Sequence, residues 1–118
     1  MSPLSRLDPS LFALVRGENI EGFNRAKPAN LRVDFGGADL RGLDLRLMDV
    51  KRVDFTGVYF GCADLRGLDL RGCNMQGAIL EFALIAGARF PEDITPEQIC
   101  ASVNEGSPLL HLRESAVA

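Results

Sequence analysis

The chain has 118 residues, 47% hydrophobic and 25% charged, which suffices for one packed domain and not comfortably for two. That composition argues against disorder. A formal net charge of −3, with a pI near 5.1, argues against a general nucleic-acid or anionic-membrane binder without making the chain a polyanion.

Residues 1–17 come first. Asp8 stands where a helix N-cap belongs, Pro9 at the first helical position, and Gly17 just past SLFALVR, so a short cap helix is expected there. The apolar run Leu11–Val15 is five residues long and ends at Arg16, too short for a signal h-region or a membrane span. Three cysteines (Cys62, Cys73, Cys100), an odd number without CxxC spacing, read as reduced thiols. The expected location is cytoplasmic, with no membrane partner.

Residues 18–32 are harder. Glu18-Asn19-Ile20-Glu21-Gly22 shares the five-residue register of 33–90, but Arg25 and Asn30 fall where apolar residues belong. Ala29-Asn30-Leu31-Arg32 is one residue out of phase. An irregular first coil with a loop near Lys27-Pro28 is expected.

Residues 33–90 repeat every five. Phe35, Leu40, Leu45, Val50, Phe55, Phe60, Leu65, Leu70, Met75, Leu80, Ile85 and Phe90 are all large and apolar. The residues two places earlier, from Val33 and Ala38 to Ala88, are apolar and mostly small. Asp or Asn precedes the large residue at 34, 39, 44, 49, 54, 64, 69 and 74, and Gly stands two places after it at 37, 42, 57, 67, 72, 77 and 87. A fixed period in unbroken register marks a repeat architecture. The two apolar slots share a face, as in a strand. The next inward residue comes three places on, so the chain must turn, and the Gly-rich slot supplies the turn. Four such sides close a square of 20 residues per coil, and the twelve sides make three coils, about 15 Å of solenoid. The twelve large residues form the core ladder.

Residues 91–118 close the chain. Thr95-Pro96-Glu97-Gln98 offers a cap, a first-turn proline and a capping-box glutamine, so a helix from 96 to 104 is expected, ended by Asn104 or Gly106. Residues from 113 on are expected to fray.

ADLRG at 38–42 and again at 63–67 matches A-(D/N)-L-x-x, and the repeat resembles the pentapeptide-repeat proteins. ARFPEDITPEQICASV resembles the segment closing small bacterial members. The resemblance implies an all-β solenoid, a right-handed quadrilateral β-helix. It would have three regular coils, one distorted N-terminal coil and short capping helices at both ends. It says little about function.

Catalytic, cofactor and metal sites are not expected. His111 is the sole histidine, in a Leu-rich tail, and the repeated aspartates serve turns and arginine ion pairs most simply. Cys73 lies in an inward slot, and Cys62 in a more exposed turn slot. The informative exceptions are apolar residues in outward slots. Tyr59 and Ile79 replace Asp and stack, Phe82 replaces Gly, and Leu84 lies round the next corner. Such a patch marks a partner surface. The favoured expectation is that residues 94–112 fold back over it; the alternative is contact with another protein or a second copy. The leading function is a non-catalytic interaction scaffold, with homodimerisation the natural first partnership. The alternative is topoisomerase (gyrase) protection by DNA mimicry, the role of the family's quinolone-resistance members. Against it, residues 33–90 carry eight acids and seven bases, and three coils fall short of a helical turn of duplex at ~34 Å. No direct nucleic-acid contact is expected.

Overall fold

A computed structural model describes residues 9–112; the expected Asp8 cap and the frayed end from 113 lie outside them. Pro9 opens α1 (Pro9–Arg16), whose Leu11 and Val15 are buried. Asn19 caps α2 (Ile20–Ala26) by accepting the Gly22 N–H at 3.0 Å. This corrects the expectation of an irregular coil over 18–32. Arg25 and Asn30 cannot fill inward slots. A helix instead points Phe23 into the core, where it is fully buried, and leaves Arg25 and Asn30 in water. A loop does come next, at Lys27.

Beyond Val33 the chain returns beside itself every 20 residues. Parallel bridges join Asp39 to Tyr59, Asp44 to Asp64, Tyr59 to Ile79, Asp64 to Leu84 and Asp69 to Arg89. The Phe35 N–H donates to Asp54 O at 2.9 Å and the Phe55 N–H to Asn74 O at 2.9 Å; in the other phase Tyr59 N–H donates to Ala38 O at 3.0 Å. This is the ladder of a β-helix solenoid. Regular strand is nevertheless scarce: β1 (Val33–Asp34) pairs in parallel with β2 (Val53–Asp54), and no sheet closes among the described residues. Each side of a coil has room for one or two ladder residues before it turns. Among the described residues the helices therefore outweigh the named strands, and "all-β" describes the repeat alone.

The turns use the left-handed region. Gly37, Gly42, Gly57, Gly67, Gly77 and Gly87 have φ between 68° and 79°. Leu47, Arg52, Cys62 and Phe82 adopt it too, at 69°, 61°, 60° and 59°. Where Asp or Asn precedes the large apolar residue, it fastens the turn. Asp34, Asp39, Asp44, Asp49, Asp54, Asp64, Asp69 and Asn74 each accept, through Oδ1, the N–H two residues on, at 2.7–3.2 Å.

The interior is the column of large residues. All from Phe35 to Leu80 are buried; Ile85 and Phe90 are only partly so, because no further coil lies beyond them. Phe35 stacks against Phe23 at 5.8 Å, Phe12 at 6.3 Å and Phe55 at 6.3 Å, welding the helices to the first coil.

Both ends of the ladder are closed by substitutes for a missing coil. At the start, Asn24 uses its side-chain amide as a strand would. Its Oδ1 accepts Asp49 N–H at 2.8 Å and its Nδ2 donates to Leu47 O at 2.9 Å. Glu18 Oε2 accepts Asp44 N–H at 2.7 Å. At the other end stand α3 (Pro96–Glu105), capped by Thr95 and ended by Gly106 at φ 78°, and the chain after it. Met75 N–H donates to His111 Nε2 at 2.9 Å, Gly77 N–H to Leu109 O at 2.7 Å, Leu80 N–H to Ser102 Oγ at 2.7 Å, and Phe82 N–H to Val103 O at 2.8 Å. Unpaired edges invite strand addition, and these contacts remove much of that liability.

Candidate functional site

The groups most able to do chemistry have structural partners. His111 Nε2 holds the Met75 amide, and its Nδ1 lies 3.0 Å from Asp93 Oδ1, which sets the tautomer as Nδ1–H. Burial pushes the Cys73 thiol up to about 12, and its Sγ donates to Val50 O at 3.3 Å. The carboxylate row is matched by arginines. Arg46 forks Asp44 at 2.9 and 2.8 Å and reaches Asp64 at 3.2 Å; Arg66 forks Asp64 and Arg71 forks Asp69 in the same way. The side-chain bonds from Arg46, with its backbone N–H, hold the Asp44 carboxyl at about 2, and Arg71 holds Asp69 lower still. Burial would raise Asp54, but bonds from Thr56 and Arg32 outweigh it, and its carboxyl is lowered. No three His, Cys, Asp or Glu side chains gather as a metal cluster among the described residues.

The four outward apolar residues do not form one equivalent set. Tyr59 and Ile79 pair across adjacent coils and are both half-buried. The Tyr59 ring lies across Gly61, where a Cβ would sit 2.6 Å from it, so a side chain at 61 would push the ring aside. Its hydroxyl donates to Glu81 Oε1 at 2.9 Å, and the Arg41 guanidinium stands 5.7 Å from the ring centroid. The Glu81 bond raises the phenol above its ordinary range. Phe82 and Leu84 remain open, 62% and 50% exposed.

The segment 94–112 does not cover them, contrary to the favoured expectation. Its Ile94 and Leu109 are buried, and its backbone and Ser102 are committed to the amides of the last coil. Four dangling N–H groups outweigh one small apolar patch in deciding where that segment lies.

Two surface residues of the turns are not among the four apolar exceptions. Leu47 is 87% exposed at φ 69°. Arg52 also occupies a left-handed slot. Both are legible to the test that singles out Phe82, namely which turn slots lack glycine.

A family model described as pentapeptide repeats matches residues 50–81, in eight copies. No curated protein and no solved structure matches the chain. No helix among the described residues is long and apolar enough to cross a membrane.

Proposed function

We propose that this chain, a pentapeptide-repeat protein by its eight matched copies, is a non-catalytic interaction scaffold that binds protein through the Phe82 corner, a second copy of itself first. The reading takes the coil as right-handed and four-sided, and the cytoplasm as its compartment. The supporting observation is Phe82: a large aromatic at φ 59°, 62% exposed, beside exposed Leu84. An L residue in that conformation is strained, and the side chain gains little burial in return. Contact with a partner would supply the missing burial. DNA mimicry fits less well, since the acids that would imitate phosphates at Asp44, Asp64 and Asp69 are forked by arginines.

Sedimentation equilibrium of the wild type and of Phe82→Glu/Leu84→Glu tests this. The expected result is a wild-type dimer and a monomeric, folded variant. A wild type that stays monomeric at high concentration, or a variant that dimerises equally, overturns self-association through this corner.

A further inference from the structure

Ten residues from Phe82, half of the 20-residue coil, the surface has a different chemistry. Three adjoining hollows share walls there. Arg52 and Gly72 belong to two of them, and Lys51 and Asp69 to two, so they join into one shallow groove. Leu47 and Arg66 stand at one end of it, and Arg71 at its middle. Gly72 contributes no side chain and has nothing within 4 Å of its Cβ position, which leaves the groove open above Arg52.

The charges in the groove are unbalanced. Three aspartates line it, and each is engaged. Asp49 lies 3.6 Å from Lys27, Asp54 is bound by Arg32, and Asp69 is forked by Arg71. Among the described residues Lys51 and Arg52 have no carboxylate partner. Two free cations thus stand in a groove of a chain whose net charge is −3. The backbone is strained at both ends of this stretch. Leu47 and Arg52 hold left-handed slots that glycine fills elsewhere, at φ 69° and 61°, and both are exposed. Strain without compensation inside the fold is a mark of a surface used for something else.

We propose that this groove binds an acidic peptide segment of a protein partner, its carboxylates on Lys51 and Arg52 and an apolar side chain against Leu47. Peptide fits better than nucleic acid. No aromatic side chain lines the groove to stack a base. With the three lining aspartates tied to Lys27, Arg32 and Arg71, only Lys51 and Arg52 are free, too few for a continuous phosphate chain and enough for spaced carboxylates. The groove does not rest on the Phe82 corner, so either can fail alone.

The probe is a fluorescein-labelled peptide of alternating glutamate and leucine, followed by anisotropy at low salt. The wild type is expected to bind, more weakly as salt rises. Lys51→Glu/Arg52→Glu is expected to weaken binding at least about tenfold, since each attraction becomes a repulsion. Arg52→Gly and Leu47→Gly provide a check against misfolding: each should raise the melting temperature while lowering affinity about threefold or more. Phe82→Glu should bind as the wild type does. The proposal is overturned by absence of peptide binding, by binding that Lys51→Glu/Arg52→Glu leaves unchanged, or by tighter binding of an oligothymidine of equal length.

Discussion

Replacing Leu47 by glycine should make the protein more stable, although it deletes a large apolar side chain. Leu47 has φ 69° and is 87% exposed. The left-handed conformation costs an L residue about 1–2 kcal/mol, which glycine avoids. Against this, glycine adds freedom to the unfolded chain, worth about 0.4–1 kcal/mol. The lost burial is small: with roughly a tenth of the side chain covered, about 0.2–0.3 kcal/mol of a full leucine's contribution disappears. The net is a gain of about 0.5 kcal/mol, or a melting temperature higher by roughly 2–3 °C. The Asn24–Leu47 bond uses the backbone carbonyl and survives the change. Leu47→Ala separates strain from side-chain loss, because alanine keeps the Cβ and therefore the strain. Thermal melts by circular dichroism should rank Leu47→Gly above wild type and wild type at or above Leu47→Ala. If Leu47→Gly melts no higher than Leu47→Ala, the turn is not strained at that residue, and the same reasoning for Arg52 and Phe82 fails.

Asn24→Ala strands the Asp49 N–H and the Leu47 carbonyl, and urea denaturation should show a loss of roughly 1–3 kcal/mol. With native protein at neutral pH, a thiol reagent should react with Cys62 and Cys100, which are exposed, and spare Cys73 until the chain is unfolded. Acid should destabilise the fold through the carboxylates whose folded-state values are lowered. Their stabilisation is present above the ordinary carboxylate range, near pH 4, and is lost as pH falls through about 2 for Asp44. A pH series of urea midpoints should fall across that window, with added salt blunting the fall because the arginine forks are exposed.

The repeat was legible because its two inward slots and its turn slot differ in kind. Phe35 to Leu80 could be assigned to the interior by spacing alone, and the Asp/Asn slot by its habit of bonding the N–H two residues on. The ends were less legible. Nothing local separates Asn24 from any polar residue of a loop; its role exists only because Asp49 and Leu47 arrive beside it from 23–25 residues away. His111 reads as an idle tail residue until Met75 and Asp93 surround it. The helix over 20–26 was masked by Glu18–Gly22, which stays in the five-residue register while Asn19 caps a helix within it. The outward residues were partly legible. Phe82 and Leu84 are open as their slots imply, whereas Tyr59 is occupied by Glu81 and Arg41, contacts set by side-chain reach and not by slot.

Because Asn24 and Glu18 at one end, and His111, Ser102 and the Val103 and Leu109 carbonyls at the other, stand in for the next winding, the two lids take no account of how many windings lie between them. Excising residues 53–72, one full winding by the bridge spacing, would join Arg52 to Cys73 in phase and present each lid with the rungs it already grips. Removing five residues would turn one lid away from its rungs. The molecule's length should therefore vary only in whole windings, like a stack of identical washers between two end plates.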